Sequence, residues 1–264
     1  MYEDDMKNKP IGVFDSGIGG ISVLALAEKM LPNEKFVYYG DDINAPYGNR
    51  SEDEIRRLSL DCAHFLADKD VKAFVVACNT ATTTAIVDIR KAYSLPVISM
   101  EPAIKPAFNY LKDGKMIVLA TEATLKQKKY LDLKDKMPDK SKIVDSPCRE
   151  LATLVEQGHY DDDVAVDYIS SVLETHEKDI DVIVLGCTHY LFVKDAIDKA
   201  AQRVYGKKLP QIDGNEGTVK QLIRVLKDRN LLSESIQPGK TDLYSSGDFE
   251  MLMKFYNIAK EINL

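Results

Sequence analysis

Short apolar runs recur along the chain, each followed by a longer stretch in which apolar residues return every three or four positions. The runs are IGVFD (11–15), KFVYYG (35–40), AFVVA (73–77) and PVISM (96–100). They continue with MIVLA (116–120), KIVDS (142–146), DVIVLG (181–186), LPQID (209–213) and TDLYSS (241–246). Runs that are continuously apolar, rather than alternating, suit strands covered on both faces. The stretches between them, such as ISVLALAEKML (21–31) and VAVDYISSVLETHEK (164–178), predict amphipathic helices. SEDEIRRLSLDCAHFLADK opens with Ser51 and Glu54 at capping-box spacing, ahead of the periodic Ile55, Leu58, Cys62, Phe65 and Leu66. Strand–helix alternation of this kind predicts an α/β protein with mostly parallel, helix-covered sheets.

The pattern comes in two similar sets. In the first, strands end at Asp15-Ser16-Gly17 and at Cys78-Asn79-Thr80; in the second, at Ala120-Thr121 and at Cys187-Thr188-His189. We expect two similar α/β domains, residues 1–100 plus 214–264 and residues 101–213, with the last two helices returning to the first domain. Open α/β sheets bind ligands beyond the carboxyl ends of their strands, so the active site is expected there, in a cleft between the domains.

Composition narrows the function. The 264 residues carry a net charge of −7, which argues against a general nucleic-acid binder. No apolar stretch is long enough to span a bilayer, and MYEDDMKNKP has no apolar core of a secretory signal, so a cytoplasmic location is expected. The four cysteines, Cys62, Cys78, Cys148 and Cys187, then stay reduced, and none has the C-x-x-C spacing of a metal site.

That leaves packing or thiol chemistry. Cys78 and Cys187 each stand where a strand hands over to a predicted helix, and the positive end of a helix favours the thiolate. Two equivalent thiols facing one substrate carbon, one thiolate and one thiol, suit inversion of a stereocentre: one removes a proton while the other delivers one. Asp15 precedes the glycine-rich turn GIGG, which is not a dinucleotide fingerprint and lacks the Lys-Ser/Thr of a P-loop. A carboxylate there suits a substrate ammonium or a nearby thiol. His189, two residues beyond Cys187, is placed to relay or accept a proton. Thr80, Thr82, Thr121, Thr124 and Thr188, with backbone N–H groups, are candidates to hold carboxylates without any basic side chain. His64, His159, His176 and Cys62 read as structural, and Cys148 leans the same way. A cysteine hydrolase would need a histidine brought in from elsewhere and oriented by a third group.

The stretches IGVFDSGIGGISVL, YYGDDINAPYGNRS, VVACNTATT, LATEAT, CRELATLVEQG and VLGCTHY together resemble the glutamate racemases, cofactor-independent two-cysteine enzymes of the aspartate/glutamate racemase superfamily. The resemblance runs from residue 11 to about 190 in order and spacing. It implies Cys78 and Cys187 as the acid/base thiols, deprotonating D- and L-glutamate respectively, assisted by Asp15 and His189, with Glu156 a further acidic residue. It places Asp15, Ser16, Pro46, Tyr47, Gly48, Asn79, Thr80, Thr121, Thr124, Thr188 and His189 on substrate-binding positions. It also implies a homodimer that supplies D-glutamate for peptidoglycan, without pyridoxal phosphate, flavin or metal. Departures are Arg149 after the middle cysteine and Leu191 after the CTHY, where proline is usual, and Ala120 in place of glycine. An aspartate racemase, or a silent small-ligand binding protein on the same scaffold, is the alternative.

Overall fold

The computed structural model describes residues 6–262. The chain divides into two compact units, Met1–Met100 with Asn215–Leu264, and Glu101–Gly214.

In the first unit, β1 (Ile11–Asp15), α1 (Ile21–Met30), β2 (Phe36–Gly40), α2 (Glu52–Ala67), β3 (Ala73–Val76), α3 (Asn79–Ala92) and β4 (Val97–Ser99) follow in order. A short helix α4 (Ile104–Ala107) opens the second unit, followed by β5 (Lys115–Ala120), α5 (Glu122–Lys126), α6 (Lys128–Asp135), β6 (Ile143–Pro147), α7 (Leu151–Glu156), α8 (Asp163–Leu173), β7 (Ile180–Leu185), α9 (Lys194–Tyr205) and β8 (Gln211–Asp213). The chain then returns to the first unit as α10 (Asn215–Asp228), β9 (Thr241–Ser245) and α11 (Phe249–Glu261).

The first sheet has the order β4-β3-β1-β2-β9 and the second β6-β5-β7-β8. Every pairing is parallel. The expected parallel, helix-covered α/β architecture is therefore present in both units. Every residue of β1 and β3 is buried, as continuously apolar central strands require. In each sheet the first strand of the unit is central, flanked by the second on one side and the third on the other. Asp15 and Ala120 thus end equivalent strands, and so do the strands leading to Cys78 and Cys187.

Local rules account for the helix starts. Ser51 and Glu54 form the reciprocal capping box at α2, and Asp162 and Asp248 cap α8 and α11. Helix α8 stops at Leu173, short of the expected 178, because Glu174 onward turns back on the last carbonyls of the helix. The base of the first sheet is fastened by a buried ion pair: Lys72 Nζ lies 2.5 Å from Glu34 Oε2 and also donates to the Lys7 carbonyl. Among the described residues, no helix is long and apolar enough to cross a membrane.

Candidate active site

In the first unit the polar cluster gathers at the carboxyl ends of β1, β2 and β3. Asp15 closes β1 with no exposure, and its Oδ1 accepts from the Ser16 hydroxyl and the Gly17 N–H, each at 3.2 Å. Cys78 caps α3: the Ala81 N–H donates to its sulfur at 3.3 Å. The Cys78 thiol in turn donates to Ser16 Oγ at 3.5 Å. A chain therefore runs from thiol to hydroxyl to carboxylate. Asn79 and Thr80, in the first turn of α3, are buried beside the thiol. Asn79 Oδ1 is buried without a hydrogen-bond partner, although a buried acceptor normally finds a donor.

The glycine-rich turn serves close approach rather than phosphate. A Cβ on Gly20 would lie 2.5 Å from Asp15 Cβ and 3.0 Å from Ala77 Cβ, so only glycine lets the start of α1 settle on the end of β1. The Pro46-Tyr47-Gly48 segment is held by a residue that the sequence did not single out. Asp41, nearly fully buried at the end of β2, accepts from Asn44 Nδ2 at 3.0 Å, from the Tyr47 hydroxyl at 2.7 Å and from Ser246 Oγ at 3.1 Å. Its signal was invisible because Ser246 lies beyond β9, far along the chain. Burial raises the pKa of both Tyr47 and Cys62, whose side chains touch at 3.5 Å, so both stay protonated.

In the second unit, Thr121 ends β5 and caps α5: its Oγ1 accepts the Thr124 N–H at 3.2 Å and donates to Thr124 Oγ1 at 3.0 Å. Cys187 lies beyond β7, and its sulfur is 3.6 Å from His189 Nδ1. His189 Nε2 is 2.6 Å from Glu156 Oε1, at the end of α7. The structure thus brings together Cys187, His189 and Glu156 as thiol, imidazole and carboxylate. Burial alone would lower the pKa of His189, but the hydrogen bonds to Cys187 and Glu156 prevail and raise it well above the ordinary imidazole value. Thr188 is buried in the same turn.

One expectation is corrected here. Cys187 does not cap an α-helix: residues Thr188–Val193 form a 3₁₀ turn, and the α-helix begins only at Lys194. All six residues of that turn are buried, which an amphipathic helix cannot achieve. The neighbour of the Cys187 sulfur is the His189 imidazole rather than the start of an α-helix.

Cys148, at the end of β6, is buried and its thiol is pushed up to about 12 by burial, with Cys187 nearby adding to the rise. Arg149 points outward and pairs with Glu122 at 2.8 Å. His159 pairs with Asp162 and His176 with Ser146, as structural residues would. Among the described residues, no group of three or more His, Cys, Asp or Glu side chains is placed to hold a metal ion. A cavity of about 680 Å³ opens at the amino ends of β2 and β9, near Glu28, Lys240 and Tyr256, and neither thiol nor any of its partners lines it.

The sequence profile of the Asp/Glu/hydantoin racemases matches residues 21–222. A glutamate racemase of Clostridium perfringens is 45% identical over 262 residues, spanning 98% of this chain and 99% of that protein. Among solved structures, the glutamate racemase of Thermus thermophilus in complex with beta-chloro-D-alanine aligns with a TM-score of 0.78 at 34% identity, covering 95% of this chain and 93% of that one. That of Francisella tularensis in complex with D-glutamate aligns with a TM-score of 0.81 at 28% identity, covering 97% and 95%.

Proposed function

The chain belongs to the Asp/Glu/hydantoin racemase family and is a racemase, an isomerase; from that premise we propose that its substrate is glutamate, inverted by proton transfer between Cys78 and Cys187. The observation that carries this reading is the equivalence of the two thiols. Each follows the third strand of its unit, beside the central one, and each contacts a polar group backed by a carboxylate, the fully buried Asp15 in one unit and the half-buried Glu156 in the other.

In the direction from L-glutamate, Cys187 as thiolate removes the α-proton and Cys78 as thiol delivers one to the opposite face. The reverse direction exchanges the roles. Asp15 assists Cys78, and His189 with Glu156 assists Cys187. Glutamate carries one ammonium and two carboxylates. The buried Asn79 Oδ1 and Asp15 are acceptors suited to the ammonium. Ser16, Thr80, Thr121, Thr124, Thr188 and the Pro46-Tyr47-Gly48 segment supply hydroxyl and N–H donors for the carboxylates. Buried positions strengthen each of these bonds relative to water, and the α-proton is acidified by preorganised charge around the substrate.

The reaction needs no cofactor, because an acid and a base suffice for a 1,1-proton transfer. We place the protein in the cytoplasm as a homodimer that supplies D-glutamate for peptidoglycan. Its two domains are residues 1–100 plus 214–264 and 101–213.

Proton NMR of L-glutamate in D2O tests the proposal. The α-proton signal should disappear as D-glutamate forms, and both Cys78→Ser and Cys187→Ser should abolish or severely slow this. Exchange of aspartate with glutamate untouched would reassign the substrate and keep the mechanism. Binding of glutamate without exchange would make the chain a binding protein and overturn the reading.

A further inference from the structure

We infer that the cavity at the amino ends of β2 and β9 is a second ligand site, built for an organic anion: an acidic group carried on a compact apolar body. It lies at the opposite end of the first sheet from Asp15 and Cys78, so it is no part of the substrate site. The inference does not depend on the racemase reading.

At about 680 Å³ the cavity has the size of a small-molecule pocket, whereas voids left by imperfect packing rarely exceed a water molecule. Three separate stretches wall it: the second half of α1 with the loop into β2, the entry to β9, and the last turns of α11. The two loops are fastened to each other. The Gly239 N–H donates to the Pro32 carbonyl at 2.8 Å, and the Phe36 N–H to the Lys240 carbonyl at 3.0 Å. A Cβ on Gly239 would lie 1.7 Å from the Glu34 carbonyl oxygen, so glycine alone permits this approach. The wall stands ready before a ligand arrives, which spares the cost of ordering it on binding.

The chemistry of the lining selects the guest. Ala25, Leu31, Pro32 and Ala259 supply apolar surface. The acceptors are already committed. Glu28 Oε1 accepts from the Thr241 hydroxyl and, at 2.7 Å, from the Tyr256 hydroxyl. Each hydroxyl has one proton, so neither has another to donate. Glu34, nearly fully buried, pairs with Lys72 at 2.5 Å and accepts the Ser233 N–H at 2.7 Å. Lys72 does not line the cavity, so the charge of Glu34 is cancelled from behind.

Donors are what the cavity has to offer. Lys29, Lys240 and Lys260 line it, and an ammonium carries three N–H groups. Lys240 meets Asp242 at 2.7 Å. Lys260 stands 3.8 Å from Glu28 Oε2 and 4.1 Å from the centre of the Tyr256 ring. Each of these two therefore keeps N–H groups for a ligand. With Glu34 cancelled, the lining sets three ammoniums against the single carboxylate of Glu28, on a chain whose net charge is −7. A local reversal of sign concentrates anions, and the apolar surface takes the body that the anion carries. Glutamate is the wrong guest, because its own ammonium would face three others and it has little apolar surface to bury.

The probe for the test is 8-anilinonaphthalene-1-sulfonate, an aromatic monoanion, titrated into the substrate-free full chain and followed by fluorescence and by methyl NMR. The probe should shift the methyl signals of Ala25, Leu31 and Ala259. The side chains of Lys240 and Lys260 are well exposed, so Lys240→Glu/Lys260→Glu should fold, and it should bind the probe about tenfold more weakly. Lys208→Glu/Lys220→Glu makes the same change of net charge at other exposed lysines and should bind as the wild type does. N-phenyl-1-naphthylamine, which lacks the sulfonate, should bind about tenfold more weakly than the anion. Excess glutamate should displace neither. Methyl signals that stay in place, equal affinity for the neutral probe, or equal affinity in the two double variants would overturn the inference. So would displacement by glutamate, which would put the probe in the substrate site. Binding seen only after removal of residues 263–264 would also overturn it, because the cavity would then belong to the chain's own end.

Discussion

Replacing Gly20 by alanine tests whether the glycine-rich turn exists to position Asp15. The added Cβ would sit 2.5 Å from Asp15 Cβ and 3.0 Å from Ala77 Cβ. Ordinary carbon contacts are about 3.5–4.0 Å, so roughly 1 Å of relief is needed. Both atoms hang directly from the backbones of β1 and the segment beyond β3, and neither can swing away as a long side chain would. Gly20 has φ of −66°, so the backbone itself accepts alanine and the whole effect is steric. Overpacking of this kind costs about 1–3 kcal/mol. For a chain of this size, about 2 kcal/mol corresponds to a fall in melting temperature of about 4–8 °C. The functional loss should be larger than the stability loss, because a misplacement of about 1 Å at a catalytic group costs about 100-fold in rate. Thermal denaturation and the D2O exchange assay on the folded variant measure the two separately. A variant that melts with the wild type and racemises at its rate would refute the steric reading. One that loses stability but keeps its rate would show that Asp15 tolerates displacement, and would remove it from the mechanism.

The buried Lys72–Glu34 pair predicts a second outcome: Glu34→Gln alone leaves an uncompensated buried ammonium and should cost about 3–5 kcal/mol in urea unfolding, with most of it recovered in Glu34→Gln/Lys72→Met. His189 predicts a pH dependence of stability. Its pKa is raised on folding, so its contribution is complete below the unfolded value of 6.5 and is lost as pH rises through the raised folded value. The gap in unfolding free energy between wild type and His189→Gln should therefore narrow in alkaline buffer, by about 1.4 kcal/mol for each pH unit that separates the folded pKa from the unfolded one. A gap that widens with pH would contradict the assigned hydrogen bonds.

Much of the scaffold was legible because parallel strands leave an unmistakable trace. Each of the nine strands among the described residues falls on its run, to within one residue at either end or inside it, and the central strands β1 and β3 are clearest because a strand buried on both faces has few polar positions to blur it. Short-range chemistry was equally readable at Ser51 and Glu54, whose capping box joins residues three apart. What failed was the inference of periodicity across a fully buried segment. THYLFVKDAIDKAAQ reads as one helix, yet its first six residues bury every side and wind as a 3₁₀ turn. Contacts between distant segments were also hidden. Asp41 meets Ser246 across 205 positions, and nothing in YYGDD announces it. Glu156 is 33 positions from His189 and emerged only through resemblance to a family, not through any local pattern.

The two units repeat a backbone without repeating its chemistry. In both, the residue before the thiol is small and lies against another small residue at or beside the end of the central strand: Ala77 near Gly20, and Gly186 against Ala120. A Cβ on Gly186 would come within 2.7 Å of Ala120 Cβ and 2.9 Å of the Leu119 carbonyl. With alanine already at 120, glycine at 186 has no substitute. These steric locks place each thiol at the same point of an equivalent sheet, and they depend only on parallel packing. The partners of the thiols come from outside that repeat, Ser16 and Asp15 from the turn after β1, His189 and Glu156 from a 3₁₀ turn and α7. Hydroxyl and imidazole differ in the one respect that matters for a proton: the first can only pass it on, whereas the second can keep it.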